Sequence, residues 1–217
     1  MGNFAHEMKT PMTSIIGYAD LLRGQSLTPE EQTDAANYIF SEGKRLENLS
    51  LKLLDIFVAD RREITMKSVS SAEIVRDLAT HLKPVYEKAG IALQCDCEEG
   101  VCLLEPDLTR TLLLNLLENA KKAMSDGGNI RLTGTMLPDG YRFIVSDNGS
   151  GIPPEALQHL TEAFYRVDKS RSRAQGSVGL GLSLCAKIVE LHHGTLHFDS
   201  EPGVGTTVTV DLKGGRV

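Results

Sequence analysis

The chain has 217 residues, enough for one large domain or two small ones, and its shares of hydrophobic (41%) and charged (24%) residues are those of a soluble globular protein. Its 29 acidic residues outnumber 23 lysines and arginines, and the net charge of −6 argues against a nucleic-acid-binding surface, which needs a basic excess. Apolar runs stay short of the roughly 18 residues that span a bilayer, and the four cysteines lack zinc-site spacing, so we expect reduced thiols in a cytosolic protein.

The first predicted element is an amphipathic helix over residues 3–23. Its apolar side chains recur every three or four residues, within roughly 80° of arc at 100° per residue: Phe4, Met8, Met12, Ile15, Ala19 and Leu22. His6 and Thr10 fall on the opposite arc, so we expect His6 to face water while the stripe packs inward. Pro11 removes a backbone donor inside this pattern and should kink the helix just after His6.

A second amphipathic helix is predicted from about Pro29 to Phe57. Thr28 is the expected N-cap, and Glu31 three residues later completes a capping box. The apolar seam of this helix is Ala35, Ile39, Leu46, Leu49, Leu53 and Ile56. Because two amphipathic helices alone cannot enclose a core, we expect two such hairpins to pair as a four-helix bundle in a homodimer.

Residues 58–68 are polar and lack helical periodicity, so they are the predicted boundary between two domains, residues 1–58 and 69–217. Beyond them the patterns predict helices over 71–89, 105–124, 154–160 and 178–193. They predict strands over 91–97, 129–136, 141–147, 195–200 and 206–212. Helices and strands mixed in this way indicate an α+β fold, a two-layer sandwich with helices on one face of a sheet.

The histidine of the first helix is followed directly by a carboxylate, in the order Phe4-Ala5-His6-Glu7. Glu7 can take or orient one imidazole proton, which leaves the other ring nitrogen of His6 free to attack a phosphorus atom. Thr10 lies one turn further along the same arc, where it could position a water for the reverse hydrolysis. A lone His-Glu pair is more often an ordinary solvated surface feature, so this motif needs support from the others.

Three polar residues share one face of the predicted helix over 105–124: Asn115, Asn119 and Lys122. Two amide oxygens can hold a Mg²⁺ ion that keeps most of its waters. An ammonium group one turn on can meet a phosphate. Polar positions at this spacing are common by chance, so the motif is weak by itself.

An aspartate followed by two glycines, Asp147-Asn148-Gly149-Ser150-Gly151, ends an apolar strand. A carboxylate there can accept a hydrogen bond from an exocyclic amine such as adenine N6, and it would repel the carbonyl of guanine. The glycines would let the backbone approach the ring closely. Standing alone, the motif reads as an ordinary Asp-Gly turn.

A glycine-rich turn, residues 176–183, precedes the last predicted helix, so its backbone N–H groups and the helix dipole could cradle phosphates. No Lys-Ser or Lys-Thr pair follows, as a Walker A loop requires, and no acidic residue completes a Rossmann fingerprint. Residues 164–175 before it are polar and basic, which is typical of a mobile lid over phosphates and equally of a solvated loop.

Each motif is modest, but their order and spacing are not: the chain resembles the sensor histidine kinases of two-component systems along essentially its whole length. In the order of the chain, the segments similar to that family's H, N, G1, F and G2 boxes are Phe4–Leu22, Asn115–Lys122, Asp147–Gly151, Phe164–Arg166 and Gly176–Leu182. The resemblance implies a dimeric helical hairpin followed by an ATP-binding sandwich of the gyrase, chaperone and kinase type.

The resemblance also implies a role for each site residue. His6 would be the phosphoacceptor, Glu7 its base, and Thr10 an aid to phosphatase activity. Asn115 and Asn119 would hold Mg²⁺. The implied contacts with ATP are Asn115, Asn119, Lys122, Asp147, Gly149, Gly151, Tyr165, Arg166, Gly179, Leu180 and Gly181, with Asp147 on adenine and Arg166 on the γ-phosphate.

The implied reaction is autophosphorylation of His6 followed by transfer to an aspartate of a response regulator receiver domain, without nucleic-acid or membrane contact by this part. Since motif-dense sequence starts directly after Met1 and Gly2, we expect the cytoplasmic part of a longer protein of the cell membrane. A non-enzymatic phosphotransfer or dimerisation scaffold stays open as an alternative, as does an ATPase of the same sandwich class. The ATPase would need a Glu where Asn115 stands.

Overall fold

The computed structural model describes residues 2–61, 65–167 and 179–214, without the side chains of residues 2–7, 48 and 52–61. Two antiparallel helices come first, α1 (Gly2–Gly24) and α2 (Pro29–Arg61). The predicted capping box at the start of α2 is confirmed: the Glu31 carboxylate accepts from the N–H and the hydroxyl of Thr28 at 2.8 and 2.9 Å. These bonds lower the pKa of Glu31. None of the described helices is both long and apolar enough to cross a membrane.

The α1–α2 hairpin is held by Pro11 and Ala35, which are buried, and by Tyr18, which stacks on Tyr38 at 4.7 Å between ring centroids. Helix α1 continues through Pro11 to Gly24. Within the single chain, the apolar stripe of α1 is only partly covered, and Met12 and Ala19 are exposed. The reason is geometric: α2 covers one side of α1, and the adjoining side has no neighbour within the described chain.

The rest of the described chain alternates helices and strands. They are β1 (Lys67–Ser70), α3 (Ser71–Glu87), β2 (Ile91–Cys97), β3 (Val101–Leu104), α4 (Pro106–Lys122), β4 (Gly128–Leu137), β5 (Gly140–Asp147), α5 (Pro154–Leu157), α6 (Gly181–Leu191), β6 (Thr195–Glu201) and β7 (Gly205–Lys213). Strands β2, β4, β5, β7 and β6 form one sheet in that spatial order, parallel between β2 and β4 and antiparallel elsewhere. Strands β1 and β3 form a separate antiparallel pair.

Several predicted boundaries differ from these elements. The segment 58–68 is not irregular throughout, since α2 continues to Arg61 and β1 begins at Lys67; residues 62–64 lie outside the described part. Helix α6 begins at Gly181, later than residue 178, because Gly179 has a left-handed φ of 75° that α-helix does not allow. Strands β1 and β3 were not predicted.

One face of the five-stranded sheet is covered by α3, α4 and α6, as the predicted α+β two-layer sandwich requires. The shared core is almost wholly aliphatic, and its largest fully buried side chains include Leu112, Leu113, Leu117, Ile130, Leu132, Tyr141, Phe143 and Ile188. Because α4 buries its leucines in this core, its polar face is fixed at one end of the sheet. That end holds the site described next.

Candidate active site

Helix α4 presents the predicted polar residues on the side opposite its buried leucines. The Asn115 amide donates from Nδ2 to the Thr111 carbonyl at 2.9 Å, which fixes the side chain and leaves its Oδ1 available. The Nδ2 of Asn119 is buried and has no hydrogen-bond partner among the described residues. A buried donor without a partner costs free energy. Asn119 therefore marks a place where a ligand oxygen would be bound.

Lys122, the third residue of this face, is three-quarters buried and forms an ion pair with Glu118 at 3.4 Å. The two residues are four apart on α4, so the pair lies along the helix surface. The ammonium group of Lys122 is therefore held beside the cavity. A phosphate bound there would compete with the Glu118 carboxylate for this ammonium group.

Asp147 is the last residue of β5, an inner strand of the sheet, and its side chain is half-buried. Burial raises the pKa of its carboxyl, while hydrogen bonds from the N–H groups of Gly149 and Thr206 act in the opposite direction. These two donors stabilise the ionised form and fix its orientation. The carboxylate is thereby prepared to accept a further hydrogen bond from a ligand amine.

The loop after Asp147 needs its glycines for contacts within the chain. A Cβ on Gly149 would lie 2.7 Å from the Cβ of Ala123. Gly151 has a φ of 65°, and a Cβ there would lie 2.0 Å from the Glu201 carbonyl oxygen. The loop is thus pressed against α4 on one side and against the β6–β7 turn on the other.

The two ends of the predicted lid meet at the same place. The Phe164 N–H donates to the Gly179 carbonyl at 2.8 Å, and both residues have left-handed φ values, 71° and 75°. The ring of Tyr165 contacts His159, with 5.3 Å between centroids. Residues 168–178, which include most of the predicted lid and Gly176, lie outside the described part of the chain.

A cavity of about 480 Å³ lies between α4, the Asp147 loop and the lid ends. It is lined by eight of the predicted site residues: Asn119, Lys122, Asp147, Gly151, Tyr165, Arg166, Gly179 and Gly181. Sequence reasoning missed its apolar wall, formed by Leu116, Ala120, Val145, Ile152, Leu160, Phe198 and Val208 among others. The alternating burial of strands was the available signal, but it does not tell cavity lining from core.

Three other predicted residues stand just behind this lining. Gly149 packs against Ala123 at the end of α4. Asn115 lies against the start of α6, where a Cβ on Gly181 would be 2.9 Å from its Oδ1. Leu180 is 1% exposed and points away from the cavity into an apolar cluster with Leu49 of α2.

That apolar cluster, the bridge cluster, joins the cavity to the helical hairpin. Its members are Leu49, Leu180, Met8, Leu46 and Phe164. Met8 lies on α1 two residues after His6. Thr10, one helical turn after His6, is exposed. His6 and Glu7 lie in α1, but their side chains are outside the described part, so the predicted exposure of His6 remains a prediction.

The predicted Mg²⁺ ligands at this site, Asn115 and Asn119, offer amide oxygens. Among the described residues, no group of three or more His, Cys, Asp or Glu could hold a metal ion. Asn115 and Asn119 are the neutral oxygen donors nearest the start of α6, which suits a hard cation that also takes oxygens from its own ligand.

Two family models match the chain. Residues 105–216, just over half of it, match the model described as "Histidine kinase-, DNA gyrase B-, and HSP90-like ATPase". Residues 1–60 match the "His Kinase A (phospho-acceptor) domain". The two matches fall on the sandwich and on the hairpin.

Among curated proteins, the chain is similar to the sensor protein SrrB of Staphylococcus aureus. In strain MRSA252 the identity is 29% over 218 residues, which covers 98% of this chain and 37% of the relative. The chain therefore spans little more than a third of the length of the curated relatives it matches.

Solved structures show the same fold at lower identity. The Acinetobacter baumannii histidine kinase AdeS superposes with a TM-score of 0.73 at 16% identity, over 96% of this chain and 97% of that one. Histidine kinase ThkA in complex with response regulator protein TrrA gives 0.77 at 21%, over 97% and 59%. Full-length ShkA in complex with AMPPNP gives 0.71 at 24%, over 98% and 45%.

Proposed function

The chain belongs to the sensor histidine kinases, with a phospho-acceptor domain ahead of an ATPase domain of the histidine kinase, gyrase B and HSP90 type, and on this premise we propose that it phosphorylates its own His6 from Mg-ATP. We propose further that it passes the phosphoryl group to an aspartate of a response regulator. A phosphatase activity toward that regulator completes the proposal.

One observation carries the proposal: the wall of the cavity that includes Gly179 and Arg166 is joined through the bridge cluster to the helix that bears His6. Leu180 and Phe164 stand at the lid ends, and the cluster that Leu180 forms with Leu49 is packed by Phe164 and by Met8, which lies two residues from His6. Phosphoryl transfer requires donor and acceptor to be held within reach of each other. A nucleotide cavity attached to the acceptor helix meets that requirement.

The adenine end of the ligand would lie at Asp147. Its carboxylate accepts a hydrogen bond from the exocyclic amine, and a guanine carbonyl at the same place would face an acceptor and be rejected. The apolar wall contributes a slot for a flat ring, with Gly151 and Tyr165 at its border and Gly149 behind it. The site therefore favours ATP over GTP.

The phosphate end would lie between α4 and the start of α6. Lys122 and Arg166 supply positive charge, and the backbone N–H groups around Gly179, Leu180 and Gly181 add the helix N-terminus. Asn115 and Asn119 would hold Mg²⁺, and the unpartnered Nδ2 of Asn119 fits a phosphate oxygen. The bound ion would offset charge on the phosphates.

On α1, Glu7 would accept the imidazole proton, so that the free ring nitrogen of His6 attacks the γ-phosphorus while the bond to the β–γ bridging oxygen breaks and ADP leaves. Thr10 would position the water of the phosphatase reaction. The phosphorylated histidine would then meet a receiver domain on the outward arc of α1. Histidine kinase ThkA, which has a similar fold, forms a complex with response regulator protein TrrA, and this supports a partner of that class.

A second copy of the chain is proposed to cover the apolar side of the hairpin. Met12 and Ile16 of α1 are 47% and 64% exposed, and Phe40 of α2 is 67% exposed. These side chains lie beside the buried α1–α2 seam, where another hairpin would complete a four-helix bundle. We propose domain boundaries at 1–58 and 69–217, and a parent protein in the cell membrane with this part in the cytoplasm, since its relatives are much longer sensor proteins.

The test is incubation of the chain with Mg-ATP labelled at the γ-phosphate. We expect acid-labile, base-stable label on the wild type and none on His6→Gln. His197→Gln is the matched control, because His197 is an exposed histidine on β6, remote from α1. Label that survives in His6→Gln would refute the assignment of the phosphoacceptor.

A further inference from the structure

Ser200 on β6 does not line the cavity, yet its hydroxyl joins the segments that form the adenine end. Its Oγ lies 2.8 Å from the Ile152 backbone nitrogen, 2.9 Å from the Gly205 carbonyl oxygen and 2.9 Å from the Thr206 Oγ1. Ile152 belongs to the loop after β5, while Gly205 and Thr206 begin β7. One small side chain therefore contacts both segments.

These three contacts use the full hydrogen-bonding capacity of a hydroxyl, one donor and two acceptors. The Ile152 N–H can only donate to Ser200, and the Gly205 carbonyl can only accept from it. The Thr206 hydroxyl must therefore donate to Ser200. An apolar side chain at position 200 would leave all three groups without this partner.

The partners of Ser200 are the groups that hold and surround Asp147. Thr206 lies opposite Asp147 in the β5–β7 register, and its N–H donates to the Asp147 carboxylate. Ile152 and Thr206 both line the cavity. The Ser200 hydroxyl is thus linked through Thr206 to the Asp147 carboxylate and through Ile152 to the lining of the cavity.

The backbones of the two segments are already in close contact. A Cβ on Gly205 would lie 2.0 Å from the Asp147 carbonyl oxygen, and the Gly203 N–H donates to the Ser150 carbonyl at 2.8 Å. The backbones on either side are therefore in contact, and the Ser200 side chain lies between the Ile152 nitrogen and the Thr206 hydroxyl. Its size and hydrogen bonds set the position of Ile152 relative to Thr206.

We propose that Ser200 is a positioning residue for base selection: through Thr206 it sets the orientation of the Asp147 carboxylate, and through Ile152 it sets the width of the slot for the purine ring. The inference rests on the proposed function, because it assumes that the cavity binds a purine nucleotide. Ser200 acts on the ligand only through these neighbours and makes no contact with it.

The test compares ATP and GTP dissociation constants for the wild type, Ser200→Ala and Ser200→Thr. Ser200→Ala is expected to weaken ATP binding about tenfold, the effect of losing one to two buried hydrogen bonds. GTP would sense the slot but gains nothing from Asp147, so its binding is expected to weaken clearly less than ATP binding does. Ser200→Thr keeps the hydroxyl and suits a strand, so it is expected to restore the ATP preference.

Ser146→Ala is the matched control, because Ser146 makes a similar side-chain hydrogen bond, 3.0 Å to Thr207 Oγ1, outside the cavity lining. It is expected to leave both dissociation constants unchanged. Thermal unfolding of every variant separates a loss of folding, which would weaken both nucleotides together, from a loss of base selection.

Two outcomes would overturn the assignment of Ser200. One is a Ser200→Ala chain that binds ATP as tightly as Ser146→Ala does. The other is a Ser200→Ala chain whose ATP and GTP affinities fall in equal proportion. Failure of the wild type to bind ATP at all would instead contradict the proposed function, so the two failures are distinguishable.

Discussion

Burial shifts the pKa values of two ionisable side chains of the sandwich in opposite directions. Asp147 has a pKa raised by burial, and the N–H groups of Gly149 and Thr206 oppose that rise. His192 has a pKa lowered by burial. Asp147 serves the cavity, whereas His192 joins the start of α4 to the end of α6 on the far side of the same helices.

Replacement of Asp147 by Asn tests the adenine end of the cavity. The amide cannot accept a hydrogen bond from an amine with the strength of a carboxylate, so ATP affinity is expected to fall about 100-fold, roughly the 3 kcal/mol of a charged hydrogen bond. In the wild type, the same affinity should fall as the pH is lowered through the raised pKa of Asp147, because only the ionised form accepts. Isothermal titration over a pH series measures both. An unchanged affinity in Asp147→Asn would contradict the role of this carboxylate.

His192 predicts a pH-dependent stability. Its Nε2 accepts from the Glu105 N–H at 3.1 Å and its Nδ1 donates to the Ile188 carbonyl at 2.8 Å, an arrangement that only the neutral ring can make. Because the lowered pKa means that the unfolded chain takes up the proton first, the free energy of unfolding should fall as the pH drops below about 6.5.

Urea unfolding at pH 7.5 and 5.5 checks this. His192→Gln is expected to cost about 1–3 kcal/mol at the higher pH, through its lost hydrogen bonds, and to reduce the difference between the two pH values. His193→Gln, at the exposed neighbouring position, should keep the wild-type difference. Equal pH sensitivity of wild type and His192→Gln would contradict this role of His192.

At the scale of elements, local patterns predicted the long helices and the central strands well. The capping box of Thr28 and the leucine spacing of α4 are local features, and both elements formed near the expected residues. Strands β1 and β3 have four residues each and pair with one another across more than 30 residues, so the local pattern carried little signal for them. The same holds for the bridge cluster, which joins α1 and α2 to residues 164 and 180.

The residues of the candidate site likewise fall into those that local patterns predict and those that depend on long-range contacts. Asn119, Lys122 and Asp147 could be predicted because the chemistry lies in short motifs on single elements. The apolar wall and Ser200 could not, because their roles depend on which strand lies beside which.

The start of α6 is set by a glycine that no other residue can replace without strain. Gly179 has a φ of 75°, and a Cβ there would lie 2.7 Å from the Tyr165 carbonyl oxygen. Gly179→Ala is expected to cost about 1–2 kcal/mol in stability from its left-handed backbone and to weaken ATP binding at least about tenfold, because Tyr165 and Arg166 must move.

Gly90→Ala provides the matched control. Gly90 has a similar φ of 71°, but a Cβ there would have its nearest neighbour at 3.6 Å, and the residue lies in the α3–β2 turn. It is expected to lose stability by a similar amount and to bind ATP normally. Chemical unfolding and nucleotide titration measure the two effects, and equal ATP affinities in both variants would contradict the proposed role of Gly179.

At the scale of the whole molecule, the hairpin and the sandwich meet through the bridge cluster. Leu49 and Leu180 are 2% and 1% exposed there, which is complete burial between two units that are otherwise linked by a short segment. The cluster is apolar and has five members, so we propose that it can be broken and remade if the nucleotide cavity moves relative to the helix that bears His6.

A charge placed in the bridge cluster should separate the two units. Leu49→Asp is expected to increase the radius of gyration measured by small-angle X-ray scattering and to slow autophosphorylation, while ATP affinity stays within about twofold, because burying an unpaired carboxylate is unfavourable. Leu114→Asp is the control, since Leu114 is 38% exposed on α4 and outside the cluster. Unchanged scattering in Leu49→Asp would show that the cluster does not hold the units together.

If the proposed function is correct, ATP bound in the cavity of the sandwich phosphorylates a histidine on the first helix. Mass spectrometry of peptides prepared at neutral to basic pH after incubation with Mg-ATP locates the phosphoryl group directly. We expect phosphorylation of His6 in the wild type and, at an ATP concentration near the wild-type dissociation constant, a strong reduction of it in Asp147→Asn. A phosphoryl group on any other residue, or consumption of ATP with no phosphorylated peptide, would contradict it.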